Sequence, residues 1–176
     1  DRMRDGIDVA DFGCGAGHAI NVMAREFSNS RFTGYDFSEE AIDRGRAEAK
    51  DWGLTNAKFE LRDGATIDVK EAYDLITTFD SVHDQAHPRK MLKAIADALR
   101  PGGVYLCVDI MAHSEHGGNT EHPLGPMLYS ISTMHCMTVS LAYGGEGLGT
   151  MWGEQKAREL LAEAGFTSID AKTVEG

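Results

Sequence analysis

Three glycines, Gly13, Gly15 and Gly17, lie close together near the start of the chain. An apolar run that contains Asp11 precedes them, and a stretch with the apolar spacing of a helix follows. Because glycine lets the backbone approach a ligand without an intervening side chain, such a turn between a strand and a helix is typical of nucleotide-binding sites. Asp36 ends the next predicted strand about 20 residues later, where a carboxylate can accept hydrogen bonds from ribose hydroxyls.

Histidines and cysteines, the usual ligands of transition metals, form no recognisable metal motif in this sequence. His83 and His87 stand four residues apart and His113 and His116 three apart, spacings that a metal site could use. Surface or helix-capping histidines are the favoured alternative, because the three cysteines form no CxxC pair. We therefore predict no metal site, and the cysteine usage fits a reducing cytoplasm.

The composition excludes several classes of protein. Seventeen basic residues face 28 acidic ones, and the resulting formal net charge of −11 would repel a nucleic-acid backbone. No apolar run approaches the roughly 18 residues that a membrane helix needs. A length of 176 residues suits a single core. We expect one domain over residues 1–176 that contacts neither nucleic acid nor membrane.

Apolar runs alternate with stretches of helical period, the pattern of βα units that build a parallel sheet with helices on both faces. This pattern predicts an α/β fold, a Rossmann-like three-layer sandwich with a mostly parallel sheet. The predicted strands are 7–12, 31–36, 58–61, 73–79, 104–110 and 166–174, and the predicted helices are 16–27, 39–52, 88–99 and 152–164. The strand at 104–110 is almost wholly apolar, as expected for the middle of a sheet buried on both sides.

The segment from Asp11 to Gly17 resembles the first motif of the class I S-adenosylmethionine-dependent methyltransferases, acidic-x-G-x-G-x-G. The dinucleotide fingerprint would instead require glycine at position 18, where His18 stands, and this disfavours an NAD-dependent oxidoreductase. The resemblance covers nearly the whole chain, because further motifs follow in the order of that family: Asp36 and the segments 62–65, 74–79 and 99–103.

The resemblance implies that S-adenosylmethionine is the cofactor and S-adenosylhomocysteine the product. It implies that the carboxylate of Asp36 accepts hydrogen bonds from the ribose hydroxyls and that the carboxylate of Asp63 accepts one from the adenine amino group. Asp11 is expected to orient the loop or to reach the amino group of the methionine moiety. The predicted cofactor-binding residues are Asp11, Gly13, Cys14, Gly15, Gly17, Asp36, Phe37, Asp63, Gly64, Ala65 and Phe79.

His83 is the predicted catalytic residue. Methyl transfer from a sulfonium needs mainly alignment of the reacting atoms, but a hydroxyl acceptor is a poor nucleophile at neutral pH and benefits from a general base such as histidine. The pair His83-Asp84 resembles the segment of small-molecule O-methyltransferases whose histidine is that base, with Gln85 in place of their usual tryptophan. The alternative is that His83 lines the cofactor pocket or caps the following helix.

Residues 111–151 interrupt the alternation of strands and helices, and we predict that they form a lid or substrate insertion. The methionine-rich stretch 127–143 is apolar on more than one face and could cover an acceptor pocket, with Gly144 to Gly149 as a hinge. Packing of an ordinary core helix is the equal alternative.

The predicted function is S-adenosylmethionine-dependent methylation of a small-molecule acceptor, at a hydroxyl oxygen. The alternative is a non-catalytic module of a winged-helix regulator that senses S-adenosylmethionine or another small molecule. A nucleic-acid base methyltransferase is disfavoured by the charge and by the lack of an N/D-P-P-aromatic tetrapeptide after the fourth strand.

The segment from Gly125 to Glu154 also resembles bacterial methyltransferase-like proteins with an N-terminal winged-helix domain. This resemblance implies an upstream domain that forms a homodimer through regions outside the chain or helps to close the substrate pocket. The usual seventh strand, antiparallel beside the fifth, has no sequence to form it, so the chain is expected to be trimmed.

Overall fold

The fold is described from a computed structural model that covers residues 2–174. The chain divides into two compact units. The first comprises the residues up to Ser81 together with Ala94–Val108, and the second comprises Val82–Lys93 and the residues from Asp109 onward. None of the described helices is both long enough and apolar enough to cross a membrane.

The first unit is built on a parallel sheet of five strands in the order β3-β2-β1-β4-β5. The strands are β1 (Asp8–Phe12), β2 (Arg31–Asp36), β3 (Ala57–Leu61), β4 (Tyr73–Phe79) and β5 (Leu99–Val108). All four pairings are parallel, as the succession of βα units predicts. The strand order reverses at β1, and open α/β sheets bind their ligands beside such a reversal. The predicted Rossmann-like architecture is confirmed.

The described residues also form seven α-helices. They are α1 (Arg2–Asp5), α2 (His18–Glu26), α3 (Glu39–Asp51), α4 (Pro88–Ala98), α5 (Gly125–Met134), α6 (Cys136–Ala142) and α7 (Gly153–Ala164), with short 3₁₀ turns at Gly64–Thr66 and His116–Asn119. The predicted cap of α3 forms, because the Ser38 hydroxyl accepts a hydrogen bond from the N–H of Ala41.

The core that supports the glycine-rich turn lies between strands β1 to β3 and helices α2 and α3. It consists of Val9, Ile20, Ala24, Phe32, Ile42, Ala49 and Phe59, each less than a tenth exposed. Ile20 and Ala24 are one turn apart, so they share one face of α2. Burial of this face fixes the start of α2 next to the end of β1, where the turn begins.

The strand β5 does not have the buried central position that its sequence predicts. Val104, Leu106 and Val108 are 54%, 46% and 39% exposed. The strand has one paired neighbour, β4, so it is an edge of the sheet formed by the described residues. Alternate residues of a strand share a face, and these three therefore form one exposed apolar stripe. An apolar run indicates a strand but not how many neighbours it has.

The turn at 99–103 also differs from the prediction. The helix α4 ends at Ala98, and the next residues already pair with β4. The pairing then jumps from Tyr73 opposite Leu99 to Leu75 opposite Val104. The residues between, where Gly102 has a φ of 77°, are therefore an irregularity within β5 rather than a loop before it.

The strand predicted at 166–174 does not form. No residue of that range pairs with another strand in the described part of the chain. An extended segment without a neighbour cannot satisfy its backbone N–H and C=O groups in a sheet, so its β propensity alone does not make a strand.

In the second unit, the methionine-rich stretch folds as α5 and α6, which are separated by the non-helical residue His135. Three of its small residues, Ser132, Cys136 and Ser140, are buried, whereas the large side chains of Met127, Met134 and Tyr143 are exposed. The lid stays a prediction.

The glycine-rich run 144–149 packs closely against these buried polar residues. The N–H of Gly147 donates to the hydroxyl of Ser140, and the N–H of Gly149 donates to the carbonyl of His83. A Cβ at Gly149 would overlap the hydroxyl oxygen of Ser132. These contacts give the glycines a packing role, whereas the predicted hinge was argued from flexibility.

Candidate functional site

The glycine-rich turn between β1 and α2 is held to the end of β2 by hydrogen bonds. The N–H groups of Gly13 and Cys14 both donate to the carbonyl of Tyr35, at 2.8 and 2.9 Å. The N–H of Gly15 donates to a carboxylate oxygen of Asp36 at 2.8 Å. Gly13 and Gly15 have φ values of 73° and 53°, in the left-handed region that favours glycine. The turn is therefore preformed by its own backbone.

A ring of β3 occupies the space that three glycines leave open. A Cβ at Gly17 would overlap the Phe59 ring, and a Cβ at Gly34 would lie 2.8 Å from the same ring and from the sulfur of Cys14. A Cβ at Gly45 of α3 would lie 2.9 Å from that ring. The motif predicts the requirement at Gly17. The requirements at Gly34 and Gly45 are not visible in the sequence, because they arise from packing against a residue of another strand.

Asp36 supports the turn and can still bind a ligand. Its Oδ2 accepts from Gly15, and its Oδ1 accepts from the N–H of Ser38 at 2.9 Å. The residue is half-buried, and each carboxylate oxygen can accept more than one hydrogen bond. The predicted ribose contact is compatible with this arrangement and stays a prediction. The role of Asp36 in holding the loop was not predicted.

Asp11 is almost fully buried, with 2% of its surface exposed, and it lies at the end of β1. Its Oδ1 accepts a hydrogen bond from the Thr77 hydroxyl at 2.8 Å. Burial, with a smaller contribution from the negative charge of Asp36, raises the pKa of Asp11 to about 7 although the hydrogen bond from Thr77 lowers it. Burial also raises the pKa of the Cys14 thiol, which is therefore neutral. A cationic group brought to Asp11 would favour its ionised form.

The remaining predicted cofactor residues follow β2, β3 and β4. The carboxylate of Asp63 accepts from the N–H of Ala65 at 2.8 Å and so caps the 3₁₀ turn, while Gly64 is buried within it. The rings of Phe37 and Phe79 are 60% and 39% exposed, at the carboxyl ends of β2 and β4. The predicted set therefore lies at one edge of the sheet, and cofactor binding by each of its residues stays a prediction.

In the second unit, His83 is buried at 4% exposure and is oriented by a carboxylate. Its Nδ1 lies 2.8 and 3.0 Å from the two carboxylate oxygens of Asp109, so we assign the ring hydrogen to Nδ1 as the donor. Nε2 then carries the lone pair. It lies 3.4 Å from the Thr150 hydroxyl and 3.4 Å from Oδ1 of Asp84.

Chain connectivity explains how His83 and Asp109 meet. His83 comes four residues after the end of β4, and Asp109 directly follows β5. The two strands are paired, with Phe79 opposite Val108. Sequence analysis missed Asp109. The signal that could have found it is its position as the first acidic residue after the strand that neighbours β4.

Three further polar groups surround the His83 ring. The sulfur of Cys136 lies 2.9 Å from the Thr150 hydroxyl oxygen. The N–H of Thr150 donates to the Ser132 hydroxyl at 3.1 Å. Oδ1 of Asp84 is buried and has no hydrogen-bond partner among residues 2–174. Buried polar atoms are nearly always paired, so this oxygen requires an explanation.

A family model described as a methyltransferase domain matches residues 3–165, nearly the whole of the chain. The chain belongs to this family. The predicted methyltransferase family is thereby confirmed, and the strand order and glycine-rich turn of the first unit are those of a Rossmann-like methyltransferase domain.

Curated relatives of this methyltransferase domain include enzymes that methylate different atoms. A ubiquinone biosynthesis O-methyltransferase of Ruegeria pomeroyi is 30% identical over 169 residues, which are 95% of this chain and 62% of that protein. An (S)-coclaurine N-methyltransferase of Papaver somniferum is 30% identical over 112 residues, 64% of this chain and 32% of that protein. The chain therefore spans less than two thirds of either relative.

Solved structures share the fold of the methyltransferase domain. A protein of Bacillus halodurans assigned as a methyltransferase has a TM-score of 0.70 at 20% identity, covering 92% of this chain and 63% of that one. A [4+2]-cyclase has a TM-score of 0.67 at 20% identity, covering 91% and 50%. An O-methyltransferase of a Brevibacillus brevis multienzyme, solved with S-adenosyl-L-homocysteine, has a TM-score of 0.55 at 21% identity, covering 65% and 37%. The predicted winged-helix domain and homodimer stay predictions.

Proposed function

We propose that this methyltransferase domain transfers a methyl group from S-adenosylmethionine to a hydroxyl oxygen of a small-molecule acceptor and releases S-adenosylhomocysteine. The family and the bound ligand of the Brevibacillus brevis neighbour support the cofactor. The observation that carries the choice of oxygen is the pair His83 and Asp109, in which a carboxylate orients a buried imidazole that we assign as the base.

The residues of the first unit fit the cofactor. The glycines with positive φ have no side chains, so a ligand can approach the backbone of the turn closely. The carboxylate of Asp36 can accept hydrogen bonds from ribose hydroxyls. Asp63 offers acceptors to the adenine amino group, and the exposed rings of Phe37 and Phe79 offer apolar surface to the adenosine moiety. Asp11 is the carboxylate for the amino group of the methionine moiety. When bound, the cofactor supplies an electrophilic methyl group on a sulfonium.

The residues of the second unit supply the proton chemistry of the proposal. Nε2 of His83 takes the proton of the acceptor hydroxyl, whose oxygen would receive the methyl group that a bound cofactor would supply. The carboxylate of Asp109 then stabilises the positive charge that appears on the ring. An amine acceptor has less need of such a base, so the oriented imidazole favours oxygen over nitrogen as the target.

The proposal also covers the organisation of the chain. We propose a single cofactor-binding domain over residues 1–176, with 111–151 as the segment that contacts the acceptor. The net charge of −11 supports a small-molecule acceptor over nucleic acid. We also propose that the enzyme is cytoplasmic, that it does not contact a membrane, and that it forms a homodimer through regions outside this chain.

Calorimetric titration of the purified chain with S-adenosylmethionine, S-adenosylhomocysteine and NAD tests the cofactor. We expect binding of the first two alone, and binding of NAD alone would overturn the proposal. Transfer of labelled methyl to a panel of phenols, aliphatic alcohols and amines then tests the acceptor atom. Tight cofactor binding with no transfer to any acceptor would instead support the sensing module.

A pair of histidine variants tests the base. His83→Asn should lower kcat for a hydroxyl acceptor by roughly 10²- to 10⁴-fold, the usual contribution of a general base, and leave cofactor affinity unchanged. His87→Asn is the matched control and should retain activity. Equal kcat for His83→Asn and the unmodified chain would exclude His83 as the base.

A further inference from the structure

Three side chains of the kinds that bind transition metals meet in the second unit. His83, Asp84 and Cys136 each contribute one potential ligand atom, and these atoms all lie within 4.8 Å of one another. Imidazole, carboxylate and thiolate are the ligands that zinc takes in proteins, with bonds of about 2.0 to 2.3 Å in a tetrahedron. The 3.4 Å between Nε2 of His83 and Oδ1 of Asp84 is close to the ligand separation that such a tetrahedron gives.

The His83 ring is already oriented as a metal ligand would be. Its Nδ1 donates to the carboxylate of Asp109, and Nε2, on the other side of the ring, lies 3.4 Å from Oδ1 of Asp84. Histidines that bind metals almost always donate their other ring hydrogen to a carboxylate, a backbone carbonyl or water. Asp109 therefore supplies the outer-shell partner.

The buried Oδ1 of Asp84 lies near the other two candidate ligands. It is 3.4 Å from Nε2 of His83, and its carboxylate helps to raise the pKa of the nearby Cys136 thiol. No hydrogen bond of ordinary length reaches Oδ1 from the described part of the chain. A buried carboxylate oxygen is costly unless a donor or a cation compensates it. A metal ion bound by the three side chains would do so.

Cys136, which is distant in sequence from His83 and Asp84, provides the third potential ligand. It is 3% exposed, and its sulfur lies next to the Thr150 hydroxyl, which itself lies 3.4 Å from Nε2 of His83. Burial raises the pKa of the Cys136 thiol, so without a cation the sulfur keeps its proton. A divalent ion stabilises the thiolate directly. Thr150 lies where its hydroxyl or a water could complete four ligands.

We infer that His83, Asp84 and Cys136 form a site for a thiophilic divalent cation such as Zn²⁺, and that its occupancy switches off methyl transfer. On binding, the Cys136 thiol releases its proton to solvent and the sulfur bonds the metal. Nε2 gives its lone pair to the same ion and can no longer accept a proton. The ligation stands on these contacts alone, whereas the inhibition rests on the proposed function of His83.

The site departs from the sequence-based expectation that the chain binds no metal. Asp84 and Cys136 are 52 positions apart, and at that separation ligand spacing carries no signal. The histidine pairs that the sequence did suggest, His83 with His87 and His113 with His116, are not the clusters found among the described residues.

Cobalt(II) is the probe that tests the ligation without any activity measurement. After removal of metals with a chelator, titration of the chain with Co²⁺ should produce a thiolate-to-cobalt charge-transfer band, and Zn²⁺ should abolish it. The Cys136→Ser variant should lose the band, and Asp84→Asn should bind Zn²⁺ at least roughly 10- to 100-fold more weakly, a loss that outer-shell changes already cause. Cys107→Ser is the matched control and should keep the band.

The outcomes separate the two parts of the inference. No charge-transfer band with folded chain, or a band that persists in Cys136→Ser with an unchanged circular dichroism spectrum, would overturn the site. With the band present, Zn²⁺ should suppress methyl transfer by the unmodified chain and by Cys107→Ser, and a chelator should restore it. If the band is present but Zn²⁺ leaves methyl transfer undiminished, the inhibition and the assignment of His83 as the base are both overturned. If the chain shows no methyl transfer at all, the proposed function is refuted. The cobalt result then still decides whether the metal site exists.

Discussion

Asp11 should make the stability of the protein fall as the pH rises through the weakly acidic range. Its pKa is about 7 in the folded chain, against an ordinary value of 3.8, because burial disfavours the charged form. Between these two values the folded state holds a proton that the unfolded state has released, so the free energy of unfolding decreases with rising pH and levels off above about 7. The full difference corresponds to roughly 4 kcal/mol, at 1.36 kcal/mol per pH unit.

The Asp11→Asn variant isolates this contribution. Asparagine does not ionise, and its side-chain oxygen can still accept from the Thr77 hydroxyl. Urea unfolding of both proteins between pH 4.5 and pH 8 gives the free-energy gap between them at each pH. We expect the gap to shift in favour of the variant by roughly 3 kcal/mol across that range, because part of the full difference is already lost below pH 4.5. Other ionisable groups cancel in the comparison.

A gap that stays constant from pH 4.5 to pH 8 would refute the reasoning, because Asp11 would then have the same pKa in both states. The Thr77→Val variant is the control for the hydrogen bond. The Thr77 hydroxyl lowers the pKa of Asp11, so its removal should extend the decline in stability to pH values above 7. Carboxylates whose pKa is lowered, such as Asp8 beside Arg31, act in the opposite direction and below about pH 4.

Three further substitutions test the site. Asp36→Ala should weaken S-adenosylmethionine binding by about 1 to 3 kcal/mol in calorimetry, since both the ribose contacts and the bond from Gly15 are lost; unchanged affinity would contradict the assignment. Gly17→Ala should abolish cofactor binding and lower the melting temperature, because the new methyl group overlaps Phe59, and a variant that binds normally would show that the turn is not rigid. Asp109→Asn should lower kcat for a hydroxyl acceptor with little change in the cofactor Kd, and a change in Kd alone would argue for a structural role.

Elements bounded by local signals could be predicted from the sequence. The strands at 31–36 and 73–79 have the predicted bounds, and α3 begins after the predicted cap Ser38. The strand β5 and the segment 166–174 were predicted less well, since whether an apolar segment is central, at an edge or unpaired depends on which other segments lie beside it. That information is not local.

The candidate site divides in the same way. The glycine-rich turn and Asp36 carry a fixed spacing that a motif can express. The surroundings of His83 do not, because Asp109 is 26 positions away and Thr150 is 67 positions away. Folding brings them together through paired strands and a packed loop, and sequence spacing predicts neither.

The Phe59 ring and the three glycines around it also constrain how the protein can change. A side chain added at Gly17, Gly34 or Gly45 meets the same ring, so we expect each of these substitutions to destabilise the protein while phenylalanine is present. Replacement of Phe59 by a smaller residue would leave a cavity unless a glycine gained a side chain in compensation. The four positions are therefore epistatic. A library that randomises all of them together should yield functional chains in compensating combinations that single-site libraries would never reach.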